Sequence, residues 1–455
     1  MNPGDDLPAF EHADMDEVRP CFEGMVPAIM ATVALDGAPN VAYLSQVYHV
    51  DDAHVALSFQ FFNKTRKNLL AHPRSTVLLL HPLTGRFYRL HLNYLRTELG
   101  GPVFESMKAQ LAGIASHSGM ADVFVLRGAD IHQVLAIERL PAEPLPLGLP
   151  EPPPRRDGLL VLRRCVQQVA QARTLDALLD ASLDSIGREL GIQHAMVLIL
   201  DAQAQRLYTV ASRGYATSGV GSEIALGQGV IGVSARERTP VRINHLTTVM
   251  LYSQAIRQEM AAEASHEIPY PGLSQPRSQL AVPLISGDQT VGVLFVESDQ
   301  EMRFTYQDED LLVALAGQIA AGIELMRESE EPCDEAPGGP DARAVEAQAA
   351  PLRVRRYRRD DSVFVNNAYL IKGVAGAILW KLLNDHAAGR REFTNRELRL
   401  DTTLGLPDVS DNLEARLLLL HRRLNEQCPA LMLQKTGRGC FRFDALAPVE
   451  LDDVA

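Results

Sequence analysis

The stretch Gln279–Ser298, QLAVPLISGDQTVGVLFVES, decides the fold of the centre of the chain. It reads as two apolar strands, Gln279–Ile285 and Thr290–Glu297, around a Ser286-Gly287-Asp288-Gln289 turn. Val, Ile, Leu and Phe suit a pleated surface, and Gly-Asp supplies the turn chemistry. Both strands are apolar nearly throughout, which predicts a sheet covered on both faces, with helices as the cover. Upstream, IALGQGVIGVSARERTPVRI (224–243) has the same cadence, with glycines at 227, 229 and 232. Its GxGxxG spacing lacks the preceding strand and following acidic residue of a dinucleotide site, so that reading is set aside.

Together the two segments resemble the GAF family of small-molecule sensor domains, and the resemblance covers residues 158–328. It implies an α/β fold and a bound small molecule. A helical region, Leu159–Leu190, opens this module, is interrupted near Ala172–Thr174, and has Gly191 as a C-cap. A second, Phe304–Met326, closes it. Thr305 and Asp308 there have capping-box spacing, and Leu312, Leu315, Ile319 and Ile323 form one apolar stripe. Such a stripe pairs two chains into a homodimer, covers the module's own sheet, or does both. The long insertion 245–276 carries Tyr252, His266 and Tyr270, candidate pocket residues if it forms a lid. No cysteine falls between 166 and 332, which argues against a covalently attached bilin. His194, His245 and His266 lack ligand spacing, so no metal is assigned.

Composition sets bounds. With 455 residues, 46% hydrophobic and 22% charged, the chain is expected to hold two to four globular domains. No apolar run approaches the ~20 residues of a membrane helix. The acidic opening MNPGDDLPAFEHADMDE has no leader signature, and five scattered cysteines show no CxxC spacing, so a cytoplasmic setting is expected. Net charge is −13, yet residues 351–444 carry 17 Lys+Arg against 11 Asp+Glu. That part is therefore +6 and the remainder −19, which predicts an anionic partner for the C-terminal part alone. A Pro-rich segment (141–157) and a Glu/Ala/Pro/Gly segment (329–351) read as linkers.

The first module, 21–140, alternates as strands at 28–35, 40–50, 54–60, 75–81 and 86–95, then a helix at 102–113 and two strands within 123–138. Such a meander suggests a barrel. Its most informative piece is FFNKTRKNLLAHPRSTVLLL (61–80), in which Thr65-Arg66-Lys67 opens a short helix and His72-Pro73-Arg74 ends it. This resembles the pyridoxamine 5'-phosphate oxidase-like split barrel, whose Ser/Thr-Arg-Lys run binds the phosphate of FMN. The resemblance implies FMN held by Thr65, Arg66 and Lys67, with Asn63 and Lys64 lining the approach. A hydroxyl, a guanidinium and an ammonium at a helix N-terminus suit a phosphate. Asn40 stands where the oxidases offer an arginine, and His72 replaces the turn asparagine, so oxidase activity is not carried over. The alternative is a solvated helix face.

The third module, 352–445, reads as strands at 352–357 and 362–371, helices at 374–386, 395–401 and 411–426, and a terminal hairpin. It resembles the winged-helix DNA-binding domain of response regulators. Leu420-His421-Arg422-Arg423-Leu424 matches the end of the third helix, and Thr436–Phe443 is a shortened wing. The resemblance implies DNA contacts from Asn412, Arg416, Leu419, Arg422 and Arg423 on the helix and Lys435, Arg438 and Arg442 on the wing. Leu413, Leu417, Leu420 and Leu424 form the expected buried stripe. That leaves Leu418 and Leu419 to touch thymine methyls or another protein.

The fold class expected is multidomain α+β: split β-barrel, GAF α/β domain, winged helix-turn-helix. The function expected is a cytoplasmic, ligand- or flavin-responsive transcription regulator. The alternative is an FMN-dependent oxidoreductase with regulatory modules, and a third reading is an interaction scaffold.

Overall fold

A computed structural model describes residues 11–23, 27–59, 64–117, 125–141, 157–246, 268–328, 351–404, 406, 413–437 and 439–454. The N-terminal module holds β1 (Glu11–His12), α1 (Met15–Val18), β2 (Ala28–Val33), β3 (Pro39–Leu44), β4 (Val47–Asp51), β5 (His54–Phe59) and α2 (Lys64–Ala71), followed by β6 (Arg74–Leu80), β7 (Phe87–Glu98), α3 (Pro102–His117) and β8 (Gly128–Arg139). Its antiparallel strands run in the order β3-β2-β6-β7-β8-β5-β4, with β1 on β8. Met30, Val55, Leu57, Val77, Leu90 and Leu92 fill its core. The strand expected over 40–50 is two strands, and the two expected within 123–138 are one.

The central module holds α4 (Gly158–Ala170), α5 (Leu175–Glu189), β9 (His194–Asp201), β10 (Arg206–Arg213), β11 (Glu223–Ala225), α6 (Gly229–Glu237), β12 (Val241–Ile243), β13 (Ser278–Ser286), β14 (Gln289–Ser298) and α7 (Tyr306–Glu328). Strands run β11-β10-β9-β14-β13-β12. Residues Gln279–Ser298 belong to the β13–β14 hairpin, paired from Ser278↔Ser298 to Ser286↔Gln289. Alternation divides its apolar residues. Leu280, Val282, Leu284, Leu294 and Val296 pack on α4, α5 and α7, while Ala281, Val293 and Phe295 face α6.

Two expectations change here. Residues 224–243 are strand, helix and strand, because Gly229 opens α6 behind Gln228. Gly232 inside it has no room for a side chain, since a Cβ would lie 2.3 Å from the Ala225 carbonyl oxygen. The stripe Leu312, Leu315, Ile319 and Ile323 is at most 1% exposed and packs within the module's own core. Burying each such side chain contributes roughly 1.5–3 kcal/mol. The stripe is thus covered within one chain. Its helix starts as expected: Thr305 Oγ1 accepts from the Asp308 amide at 3.2 Å, and Asp308 accepts from the Thr305 amide at 2.9 Å.

The C-terminal module holds β15 (Leu352–Tyr357), β16 (Ser362–Val365), β17 (Ala368–Ile371), α8 (Gly373–Ala387), β18 (Glu392–Thr394), α9 (Asn395–Leu400), α10 (Leu413–Gln427), β19 (Leu431–Gly437), β20 (Cys440–Ala445) and β21 (Val449–Val454). Sheets β17-β16-β15-β21 and β18-β20-β19 flank the helices. Strand β21, not among the elements expected, pairs parallel to β15 from Leu352↔Val449 to Tyr357↔Val454. Thr394 and Glu397 form a capping box at α9. Among the described residues no helix is long and apolar enough to cross a membrane.

The modules touch. Helix α3 lies on α6 and β12, where Ser106 meets Thr239 at 3.2 Å and Lys108 meets Glu237 at 2.9 Å. A Cβ on Gly113 would come within 2.5 Å of the Val241 side chain. Buried residues of α5 and of the central sheet run without a break into Leu417, Leu418 and Leu419 of α10.

Candidate functional sites

Three places were singled out by sequence. At the first, Thr65 and Arg66 sit in the opening turn of α2, and Lys64 and Lys67 face solvent. Asn63 lies outside the described residues. Arg66 turns inward. Its Nη1 donates to both Asp130 carboxylate oxygens at 2.7 and 2.8 Å, its Nη2 donates to Thr97 at 2.9 Å, and it lies 3.9 Å from the centre of the Phe59 ring. Asp130 is 5% exposed. Thr65 is tied to Asn40, whose Nδ2 donates to its hydroxyl at 3.0 Å. The cavity beside them, bounded by Met30, Tyr43, Ser58 and Thr65 among others, measures about 130 Å³. Sites for ligands of this size class are usually ~300 Å³ or more. A phosphate there would face the Asp130 carboxylate, so the residues as arranged do not fit FMN.

Arg66→Ala is therefore expected to act on stability. Removing one partner of a buried pair leaves a charge without compensation, at roughly 3–5 kcal/mol, with the lower end apt because Arg66 remains 16% exposed. Urea unfolding checks this, and Arg66→Ala/Asp130→Asn should recover most of the loss. A phosphate site would give the opposite pattern: near-normal stability and lost FMN binding.

The second place lies on the α6-facing side of the central sheet. Tyr252 and His266 fall outside the described residues, while Tyr270 is 37% exposed and sets its ring edge-on to Phe295 at 6.4 Å. What the sequence reading missed is Glu297, 1% exposed near the end of β14. It accepts from the Leu273 amide at 2.8 Å and from Gln279 Nε2 at 3.1 Å. Tyr215 stands nearby, 5.4 Å from the His194 ring. Burial, aided by the Glu297 charge, pushes its phenol far up. Burial also holds His245 below its ordinary value and hence neutral. A lone carboxylate in VGVLFVES was the signal that could have marked this polar patch.

The third place is α10 with its hairpin. Asn412 and Arg438 lie outside the described residues. The edge expected to be open is closed. Arg416, Leu419 and Arg423 are 5%, 6% and 9% exposed. Arg416 donates to Asp201 at 2.8 Å, and Arg422 donates to Asp176 at 2.8 Å and to Asp180 at 2.7 Å. Arg422 also reaches the Val210 carbonyl at 3.2 Å. Arg423 stays within its module, donating to the Leu370 carbonyl at 2.8 Å. Leu418 and Leu419 are buried because the central module covers them. On the hairpin, Lys435 pairs with Glu414 at 2.8 Å and Arg442 with Asp444 at 2.6 Å. The acidic partners were legible in part: Asp176 and Asp180 stand four residues apart on one face of α5.

Residues 172–324 match the GAF domain family. Among solved structures, the chain is similar to the GAF domain of an Acinetobacter phosphoenolpyruvate-protein phosphotransferase. Identity is 22%, over 39% of this chain and 99% of that one, with a TM-score of 0.32. It is also similar to the free methionine-R-sulfoxide reductase of Neisseria meningitidis, at 20% identity over 39% and 96%, TM-score 0.31. An FMN-binding protein from Syntrophomonas wolfei matches at 16% identity over 28% and 89%, TM-score 0.24. No curated protein matches the chain. A GAF domain is thus present, which implies a signalling or regulatory role and a small-molecule ligand.

Proposed function

We propose that the chain is a ligand-responsive transcription regulator, in which the GAF domain senses and residues 352–454 bind DNA. The observation that supports this most is the order of elements in the C-terminal module. A strand sheet leads to three helices, and a hairpin, β19–β20, closes a small sheet with β18. In a winged-helix frame of this kind the third helix enters the major groove and the hairpin meets the flanking backbone. The +6 charge of residues 351–444 in an otherwise acidic chain supports the same partner. Cys21, Cys165 and Cys428 are buried thiols, in keeping with a reducing cytoplasm. The oxidoreductase alternative is weakened by Arg66, whose guanidinium is committed to Asp130.

The test is a binding-site selection with the full chain at two salt concentrations. An enriched motif is expected, with retention that falls as salt rises. Lys435→Gln should weaken all duplexes about equally and reduce the salt slope by about one unit. With no motif and no salt dependence, the scaffold reading replaces this one.

A further inference from the structure

The arginines proposed to meet DNA already have anionic partners, and those partners belong to the sensor. We propose that the Arg416/Arg422 face of α10 is a shared surface, held closed by Asp176, Asp180 and Asp201 and opened when a polyanion or a change in the sensor displaces them. This rests on the DNA reading of the C-terminal module.

Three features carry it. The carboxylates take up both guanidiniums that α10 turns toward the sensor, from positions six residues apart. At ~1.5 Å per residue their Cα atoms are about 9 Å apart along the axis. The pairs with α5 are also reversible in character, because Asp176 and Asp180 are 49% and 60% exposed and so are open to screening by salt. Only Arg416–Asp201 is deep, at 6% and 13%. Finally, the contact is imperfectly packed. A cavity of about 240 Å³ remains between α5, α10 and the hairpin, walled by Thr174, Asp176, Leu418, His421, Lys435 and Phe441.

Closure masks Leu418 and Leu419 as well, so opening exposes an apolar pair together with the cations. It draws on two separate elements of the sensor: Asp201 ends β9, and Asp176 lies in the first turn of α5. A shift of β9 against α5 would therefore pull the two holds apart.

The experiment uses the full chain, as wild type and as Asp176→Asn/Asp180→Asn/Asp201→Asn. Two quantities are read: amide exchange over residues 413–427 and affinity for a mixed-sequence DNA duplex. Exchange and affinity should each rise about tenfold or more in the variant, since affinity scales with the open fraction. Arg422→Gln breaks the same contact from the other side. It should raise exchange without raising affinity, because it also removes a cation that the duplex needs.

Raising salt from about 0.05 to 0.5 M on the wild type tests the charge dependence without any substitution, and exchange over 413–427 should again rise. Exchange unmoved by both the substitutions and the salt overturns the proposal. So does a wild type that binds the duplex as tightly as the triple variant. If exchange rises but no form binds duplex at either salt, the charge-held closure stands and the DNA reading falls.

Discussion

Arg242→Ala should lower the unfolding free energy of the chain by roughly 3–5 kcal/mol, because it strands a buried carboxylate. Arg242 lies on β12, 6% exposed, and is paired with Glu23 from the N-terminal segment and with Glu309 of α7 at 2.6 Å. It also donates to the Phe304 carbonyl at 3.2 Å and stacks 4.2 Å over the Tyr306 ring. Asn244 is the other donor to Glu23, at 3.1 Å. Burial pushes the Glu23 carboxyl up, and Arg242 is the cation that offsets that push.

The sign of the pH dependence follows. In the variant the folded-state pKa of Glu23 lies above its unfolded value, so folding takes up a proton between the two. Stability is then best below about pH 4.5 and falls as pH rises through the raised folded value. The deficit relative to wild type should grow from pH 5 to pH 8, as read by urea midpoints at matched pH. Arg242→Ala/Glu23→Gln should flatten that trend. A deficit independent of pH would falsify the assignment of the loss to a stranded carboxylate.

The second large effect is expected at Gly292, inside the hairpin that decides the central fold. A Cβ there would lie 2.0 Å from the Leu198 carbonyl oxygen and 3.1 Å from its carbon, both backbone atoms of β9. No rotamer change relieves a backbone clash, so the β9–β14 pairing must yield. Gly292→Ala is expected to cost about 3 kcal/mol or more, the upper end for overpacking. The control is Gly317→Ala on the exposed side of α7, where nothing lies within 4 Å. That substitution should stabilise by roughly 0.5–1 kcal/mol, since alanine costs a helix less backbone entropy. Urea unfolding of both variants beside wild type separates the cases, and equal midpoints would refute the steric argument.

Local chemistry made much of this architecture legible. The turn at 286–289, the caps at Thr305 and Thr394 and the stop at Gly191, where φ is +62°, all depend on neighbours a few residues away. The misreadings depend on distant ones. Arg66 looked available because its partner Asp130 lies 64 residues further on and arrives only through sheet pairing. Leu418 and Leu419 looked surplus because helical periodicity counts one buried face, whereas α10 has two. The Leu312–Ile323 stripe was read correctly as apolar, but a stripe does not say what covers it. The glycines at 227, 229 and 232 serve a strand-to-helix turn: Gly227 and Gly229 take positive φ, and Gly232 has the Ala225 carbonyl against it.

The strand β21 gives the C-terminal module a particular mechanical character. It runs parallel to β15, so the module's incoming and outgoing ends leave from opposite ends of one six-pair ladder. Tension between those ends loads all the pairs at once, in shear, instead of peeling them one by one. Charged rungs at Arg353–Glu450, Arg355–Asp452 and Arg358–Asp453 lie along the same seam. A pull along the seam would therefore have to break the six pairs and the three charged rungs together.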